Sequence, residues 1–130
     1  MEQIQVPVSP GEVLDKITIL EIKSERMTDP GKLANVRLEL ELLNATWSAS
    51  VEQDETVMRI HAQLKKINEA LWEIEDDIRD KERVREFDDR FVELARSVYF
   101  TNDKRAEAKK ELNLYLGSAI VEEKSYQDYS

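Results

Sequence analysis

A chain of 130 residues with a formal charge of −9, 36% charged residues and no cysteine has room for one buried core and no disulfide framework or thiolate metal site. No stretch approaches the roughly 18 to 20 apolar residues of a membrane span, and the opening MEQIQVPVSP lacks the basic start and apolar run of a signal peptide. The charge repels nucleic acid at long range and no Lys/Arg run reverses it locally, so the chain reads as an acidic cytoplasmic protein with no nucleic-acid or membrane partner.

Three glycines and three prolines in a highly charged chain point to long helices with short joints, within a single domain over 1–130. Residues 3 to 8 alternate Gln3, Ile4, Gln5, Val6, Pro7, Val8, an extended pattern that Pro7 keeps from being a central strand. They read as an arm (1–8), free to lie across a second copy. Ser9-Pro10-Gly11-Glu12 has the form of a helix start, with Ser9 as cap, Pro10 in the first turn and Glu12 closing a capping box. The first helix is expected over about 10–28. Val13, Leu14, Ile17 and Leu20 share one face, from which Glu21 also projects, while Asp15, Ile19, Ile22 and Arg26 lie opposite. A helix apolar on two sides is sandwiched.

Asp29-Pro30-Gly31 repeats the start signal for a second helix over about 31–49. Leu33, Val36, Leu40, Leu43 and Trp47 form its main stripe, and Leu38, Leu42 and Ala45 lie opposite, so it too is two-sided. Two consecutive bifacial helices favour a homodimer, because a chain this short has few places to bury four apolar faces. The third helix, about 55–84, carries Val57, Ile60, Leu64, Ile67, Leu71, Ile74 and Ile78 in steps of three and four. That is a coiled-coil-like seam, and it makes this helix the expected spine of the bundle. Phe87-Asp88-Asp89 opens a fourth helix, about 89–116, closed by Gly117, and a tail follows over 118–130. The fold expected is an all-α bundle of four main helices with an arm and a tail that either docks through its apolar groups or frays.

The fourth helix carries the candidate site. Phe91, Leu94, Val98, Leu112 and Leu116 share a face that Asn102, Arg105 and Lys109 interrupt, with Thr101 and Asn113 at the edges. A cationic patch inside an apolar stripe is either a salt-bridge network or a pocket for an anion. As a network, its partner would be Glu21, with Asp15 as the rival. As a pocket, Arg105 would take a carboxylate or phosphate bidentately, Lys109 would add charge and Asn102 would orient. The expected separation is by mutation: Arg105→Met loses ligand but not fold if the pocket exists.

Other constellations carry less. Glu69, Glu73, Glu75, Asp76, Asp77 and Asp80 have the spacing of helical metal sites, but Glu69, Asp76 and Asp80 point away from the seam, and so no metal site is assigned. His61, the single histidine, lies on the flank of the third helix in line with Asn68, Trp72 and Arg79, with no nucleophile or carboxylate assigned to it. Trp72 reads as a contact surface and Trp47 as core. No cofactor is implied.

Several strings together resemble a family of short bacterial and phage proteins classed as a domain of unknown function. They are Ser9-Pro10-Gly11-Glu12 through Lys23, Leu33-Ala34-Asn35-Val36, Leu71-Trp72-Glu73-Ile74-Glu75-Asp76, Thr101-Asn102-Asp103-Lys104-Arg105, and Gly117-Ser118 with Glu122-Glu123-Lys124-Ser125-Tyr126. The resemblance spans nearly the whole chain and brings no activity. Members encoded near sugar-transfer genes imply only an association with nucleotide-sugar or glycan metabolism. A looser likeness, of fold alone, is to helical chorismate mutases, in which Arg and Lys from several helices surround a dicarboxylate. The leading expectation is a non-enzymatic binding or accessory module that holds an anionic small molecule or a partner at the patch formed by Asn102, Arg105, Lys109, Glu21 and Asp15. The alternatives are a small helical enzyme, mutase-like or acting on a phosphorylated substrate, and a purely structural interaction protein.

Overall fold

A computed structural model describes residues 1–129; Ser130 of the expected tail lies outside them. Four helices follow in order: α1 Pro10–Arg26, α2 Pro30–Ser50, α3 Glu55–Arg83 and α4 Asp89–Tyr115. The all-α bundle expected from periodicity is the fold observed, with helix ends within two residues of the expected ones.

Each helix starts where a side-chain oxygen meets an orphan backbone donor. Ser9 Oγ accepts from the Glu12 N–H at 3.3 Å, Asp29 from Lys32 at 2.9 Å, Asp54 from Val57 at 2.9 Å and Asp88 from Phe91 at 3.0 Å. The capping box at Ser9 is only half made, because the Glu12 carboxylate turns to Lys109 Nζ at 2.8 Å instead. At the other end of the chain, Gly117 adopts φ +66°, and the Ser118 N–H reaches back to the Asn113 carbonyl at 2.8 Å. This is the left-handed cap that only glycine forms without strain.

The spine is α1, not α3. α1 packs against all three other helices, whereas α2 packs against α1 alone. Lys16 pairs with Glu39 of α2 at 2.8 Å; Glu21 and Glu25 pair with His61 and Lys65 of α3 at 2.8 and 2.9 Å; Asp15 and Glu12 pair with Arg105 and Lys109 of α4. The two apolar sides of α1 are therefore both satisfied within the chain. Leu14, Ile17, Trp47, Val57, Ile60, Leu64, Ala108 and Leu112 form the core, and burial of each large aliphatic side chain contributes about 1.5 to 3 kcal/mol.

Length explains why the longest seam is not the centre. At about 1.5 Å per residue, the 17 residues of α1 reach about 26 Å and the 29 of α3 about 44 Å. The seam of α3 is buried through Val57, Ile60 and Leu64, half-buried at Ile67 and Leu71, and half-buried at Ile74 and Ile78, which lie past the end of α1. Arg26, the last residue of α1, reaches Glu73 at 3.4 Å. Beyond that point α3 and α4 continue as a two-helix hairpin, and its inner side next to the end of α1 is a groove.

Candidate functional site

The approach of α1 to α4 decides where the polar patch of α4 goes. Gly11 is buried, and its N–H donates to Asn113 Oδ1 at 2.7 Å. A Cβ at Gly11 would stand 2.6 Å from the Lys109 carbonyl oxygen, so the two backbones meet with no side chain between them. That contact sets Asp15, one turn further along α1, against Arg105.

Asp15 is 2% exposed and accepts from three donors. Arg105 gives Nε at 2.8 Å and Nη2 at 2.5 Å, and Asn68 of α3 gives Nδ2 at 2.9 Å. Asn68 also donates to Thr18 Oγ1 at 2.9 Å, and the Thr18 hydroxyl donates to the Asp15 carbonyl at 2.7 Å. A buried carboxylate without donors would cost several kcal/mol, and here α3 and α4 supply them. The bonds to Asp15 in turn raise the Arg105 pKa above its ordinary value.

The remaining predicted site residues divide. Lys109 is nearly covered, with 11% of its side chain exposed, and is held by Glu12 at 2.8 Å and by Glu122 of the C-terminal segment at 2.9 Å. Burial opposes its charge, but the bonds to Glu12 and Glu122 outweigh burial and hold its pKa above the ordinary value. Glu21 does not reach α4. It projects towards α3, where its carboxylate lies 2.8 Å from His61 Nε2. The counterpart of the α4 cations on α1 is thus the rival, Asp15, joined by Glu12. Asn102 is half-buried and has no hydrogen-bond partner among the described residues.

Arg105 and Asn102 stand between two openings. On one side is a groove of about 410 Å³, walled by Ile19, Ile22, Leu71 and Trp72 and edged by Asn68. That volume lies within the range of small-molecule sites. On the other side is a cleft of about 520 Å³ beneath the C-terminal segment, containing Lys109, Glu122 and Tyr126. Trp72, expected to mark a contact surface, is a wall of the groove. The acidic residues of α3 are dispersed over exposed positions: Glu69 and Glu73 flank Arg26, Glu75 pairs with Arg79, and Asp80 with Arg83. Among the described residues no group of three or more His, Asp or Glu is placed to hold a metal ion.

Gly11, Thr18, Asn68 and Glu122 are the contributors that sequence reasoning left unassigned. Asn68 did carry a signal, since it lies beside the seam in line with Trp72, and a polar residue at a covered position demands partners.

The profile of the Family of unknown function (DUF6165) matches residues 4–129. The chain belongs to this family. Neither a curated protein nor a solved structure matches the chain. No helix among the described residues is long and apolar enough to cross a membrane.

Proposed function

We propose that this DUF6165 protein is a non-enzymatic binding module whose site is the groove between α1, α3 and α4, where Arg105 and Asn102 receive the carboxylate or phosphate end of a small molecule. One observation carries this reading. Asp15 fixes Arg105 through Nε and Nη2, and the rest of the guanidinium, with the Asn102 amide beside it, has no hydrogen-bond partner among the described residues. A guanidinium has five N–H donors, so a second oxyanion finds donors already aimed on a side chain only 30% exposed. Fixing the arginine before the ligand arrives removes much of the ordering cost of binding. In this reading Asp15 and Asn68 support the site, and Lys109 and Glu21 stand outside it.

Binding is favoured over catalysis by where the titratable pair lies. Glu21 and His61 face each other on the flank of α3 and line neither opening. A mutase-like arrangement needs several free cations around a dicarboxylate, and Lys109 is already shared between Glu12 and Glu122. We also propose that the chain acts as a homodimer through the outer face of α2, where Leu38 and Leu42 are 59% and 50% exposed.

The structure changes which variant tests the site. Arg105→Met would strand the buried Asp15 carboxylate and cost about 3 to 5 kcal/mol, so loss of binding and loss of fold would coincide. Asn102→Asp has no native bond to break and places a carboxylate where the anion would sit. In a thermal-shift series at low salt, benzoate or phenyl phosphate should raise the wild-type melting temperature in a dose-dependent way, equivalent to about 2.7 kcal/mol at a hundred times Kd. Asn102→Asp should melt no lower than wild type and lose that rise. A wild-type protein indifferent to both anions, or an Asn102→Asp variant that keeps the response, refutes the proposal.

A further inference from the structure

A lysine, an aspartate and an aromatic pair stand in order along α4: Lys109, then Asp103 six residues earlier, then Tyr99 and Phe100. The C-terminal segment answers each in turn as it runs back along the helix. Glu122 lies 2.9 Å from Lys109, Lys124 pairs with Asp103, and the Tyr129 ring sits 5.3 Å from Tyr99 and 4.9 Å from Phe100. Beyond the cap at Ser118, the bonds that tie the segment to α4 among the described residues run through side chains. A helix face thus reads a peptide pattern of carboxylate, ammonium and aromatic ring, in that order. The hold is light. Every residue from 119 to 129 is exposed, Tyr126 at 87%, and a cleft of about 520 Å³ stays open beneath the segment. Ion pairs whose partners reach water contribute little, and conformational entropy opposes the ordering of the segment. It therefore belongs to the low-stability end of the molecule, and its anchors open without disturbing the helices.

We infer that this face of α4 is a docking site for a non-helical peptide of a partner protein, one carrying glutamate, any residue, lysine, and a tyrosine five residues further on, and that the C-terminal segment is its built-in competitor. The two charges fix the direction of the peptide. Laid with its charges exchanged, it would set an ammonium against Lys109 and a carboxylate against Asp103. When Glu122 leaves, Lys109 keeps its bond to Glu12 at 2.8 Å, so the site trades one carboxylate for another without stranding a covered cation. A second copy does not fit as the occupant in the dimer proposed through α2, because α2 and α4 pack on opposite sides of α1. None of Lys109, Asp103, Tyr99 and Phe100 lines the Arg105 groove, so the inference does not depend on what that groove binds.

The full chain carrying Glu122→Ala and Tyr129→Ala loses two anchors of the segment and leaves α4 intact. Both side chains are more than half exposed, so wild type and variant should have equal helicity by circular dichroism. Amide NMR spectra of the two chains are then titrated with three peptides on a serine and glycine background: the inferred pattern, the pattern with glutamate and lysine exchanged, and the pattern with alanine for tyrosine. The pattern peptide should shift the amides of Tyr99, Asp103 and Lys109, and bind the variant about tenfold more tightly than wild type, where the segment occupies the site. The two control peptides should bind the variant about fivefold more weakly than the pattern peptide. A pattern peptide that moves no α4 amide in the variant, that binds wild type and variant alike, or that is matched by either control overturns the inference.

Discussion

Two glycines, each following a proline in the first turn of a helix, have opposite duties. Gly11 faces α4, where a Cβ would lie 2.6 Å from a backbone oxygen that cannot swing away; Gly31 has only the Asp29 carboxylate within 4 Å, at an ordinary 3.5 Å. Gly11→Ala should therefore destabilise by about 1 to 3 kcal/mol through overpacking. Gly31→Ala, at an exposed helical position, should be neutral or stabilise by up to about 1 kcal/mol by restricting the unfolded chain. Denaturant unfolding of the two variants checks this, and equal effects would show that the close contact at Gly11 does not exist. The sequence presents these glycines as twins, Pro10-Gly11 and Pro30-Gly31, because what separates them is a neighbour 98 residues away, Lys109. The same limit applies to Asp15 and Glu21. Periodicity placed them on different faces of α1, but which face meets α4 depends on the crossing of helices, and no local pattern encodes that crossing. The ion pairs of Arg105 and Lys109 were legible because cations in an apolar stripe are improbable without partners.

At the scale of elements, the C-terminal segment is where the sequence left two outcomes open, docking or fraying, and the structure shows docking. After the turn at Gly117 the chain runs back along α4 with Glu122 on Lys109, Lys124 on Asp103, and the Tyr129 ring 5.3 and 4.9 Å from Tyr99 and Phe100. Side chains hold it, and Tyr99 and Phe100, which lie off the apolar stripe of α4, are its landing site. Two shifted groups set its pH window. The hydrogen bonds from Lys124 and Tyr129 lower the Asp103 pKa, so its contribution is present above the usual carboxylate range and fades as pH falls through the lowered value. The bond to Asp103 pushes Tyr129 up to about 12, so its contribution is whole below the ordinary tyrosine value of 10.0 and is lost as pH rises towards about 12. A tyrosinate absorbance titration of wild type, minus that of Tyr129→Phe, should show one phenol ionising near pH 12. A difference curve centred at the ordinary value would mean the segment is not held through Asp103.

Across the whole molecule, a second subunit would meet α2 rather than α1. Two-sided apolarity in α1 and α2 was the original ground for a dimer, and α1 no longer counts, since α2 covers one side and the α3–α4 hairpin the other. What remains is α2, which touches α1 only and shows Leu38 and Leu42 to solvent, together with the exposed arm side chains Ile4, Val6 and Val8. An antiparallel two-fold pairing of α2 would pack Leu38 of one protomer against the partner's Leu42. It would also bring Arg37 beside the partner's Glu41, and neither of these charges has a partner within the described residues. Four leucines alone fall short of the roughly 1,000 Å² that a stable interface buries, so the arms must contribute by lying across the partner. Sedimentation at rising protein concentration should thus show a dimer for wild type. Leu38→Glu combined with Leu42→Glu should give a monomer of unchanged helicity, because both side chains are exposed within one chain. Removing residues 1–8 should weaken the dimer without abolishing it. A wild-type chain that stays monomeric at every concentration tested would end the dimer proposal and leave the exposed face of α2 without a stated occupant, while the Arg105 groove, built entirely from α1, α3 and α4 of one chain, would stand unaffected.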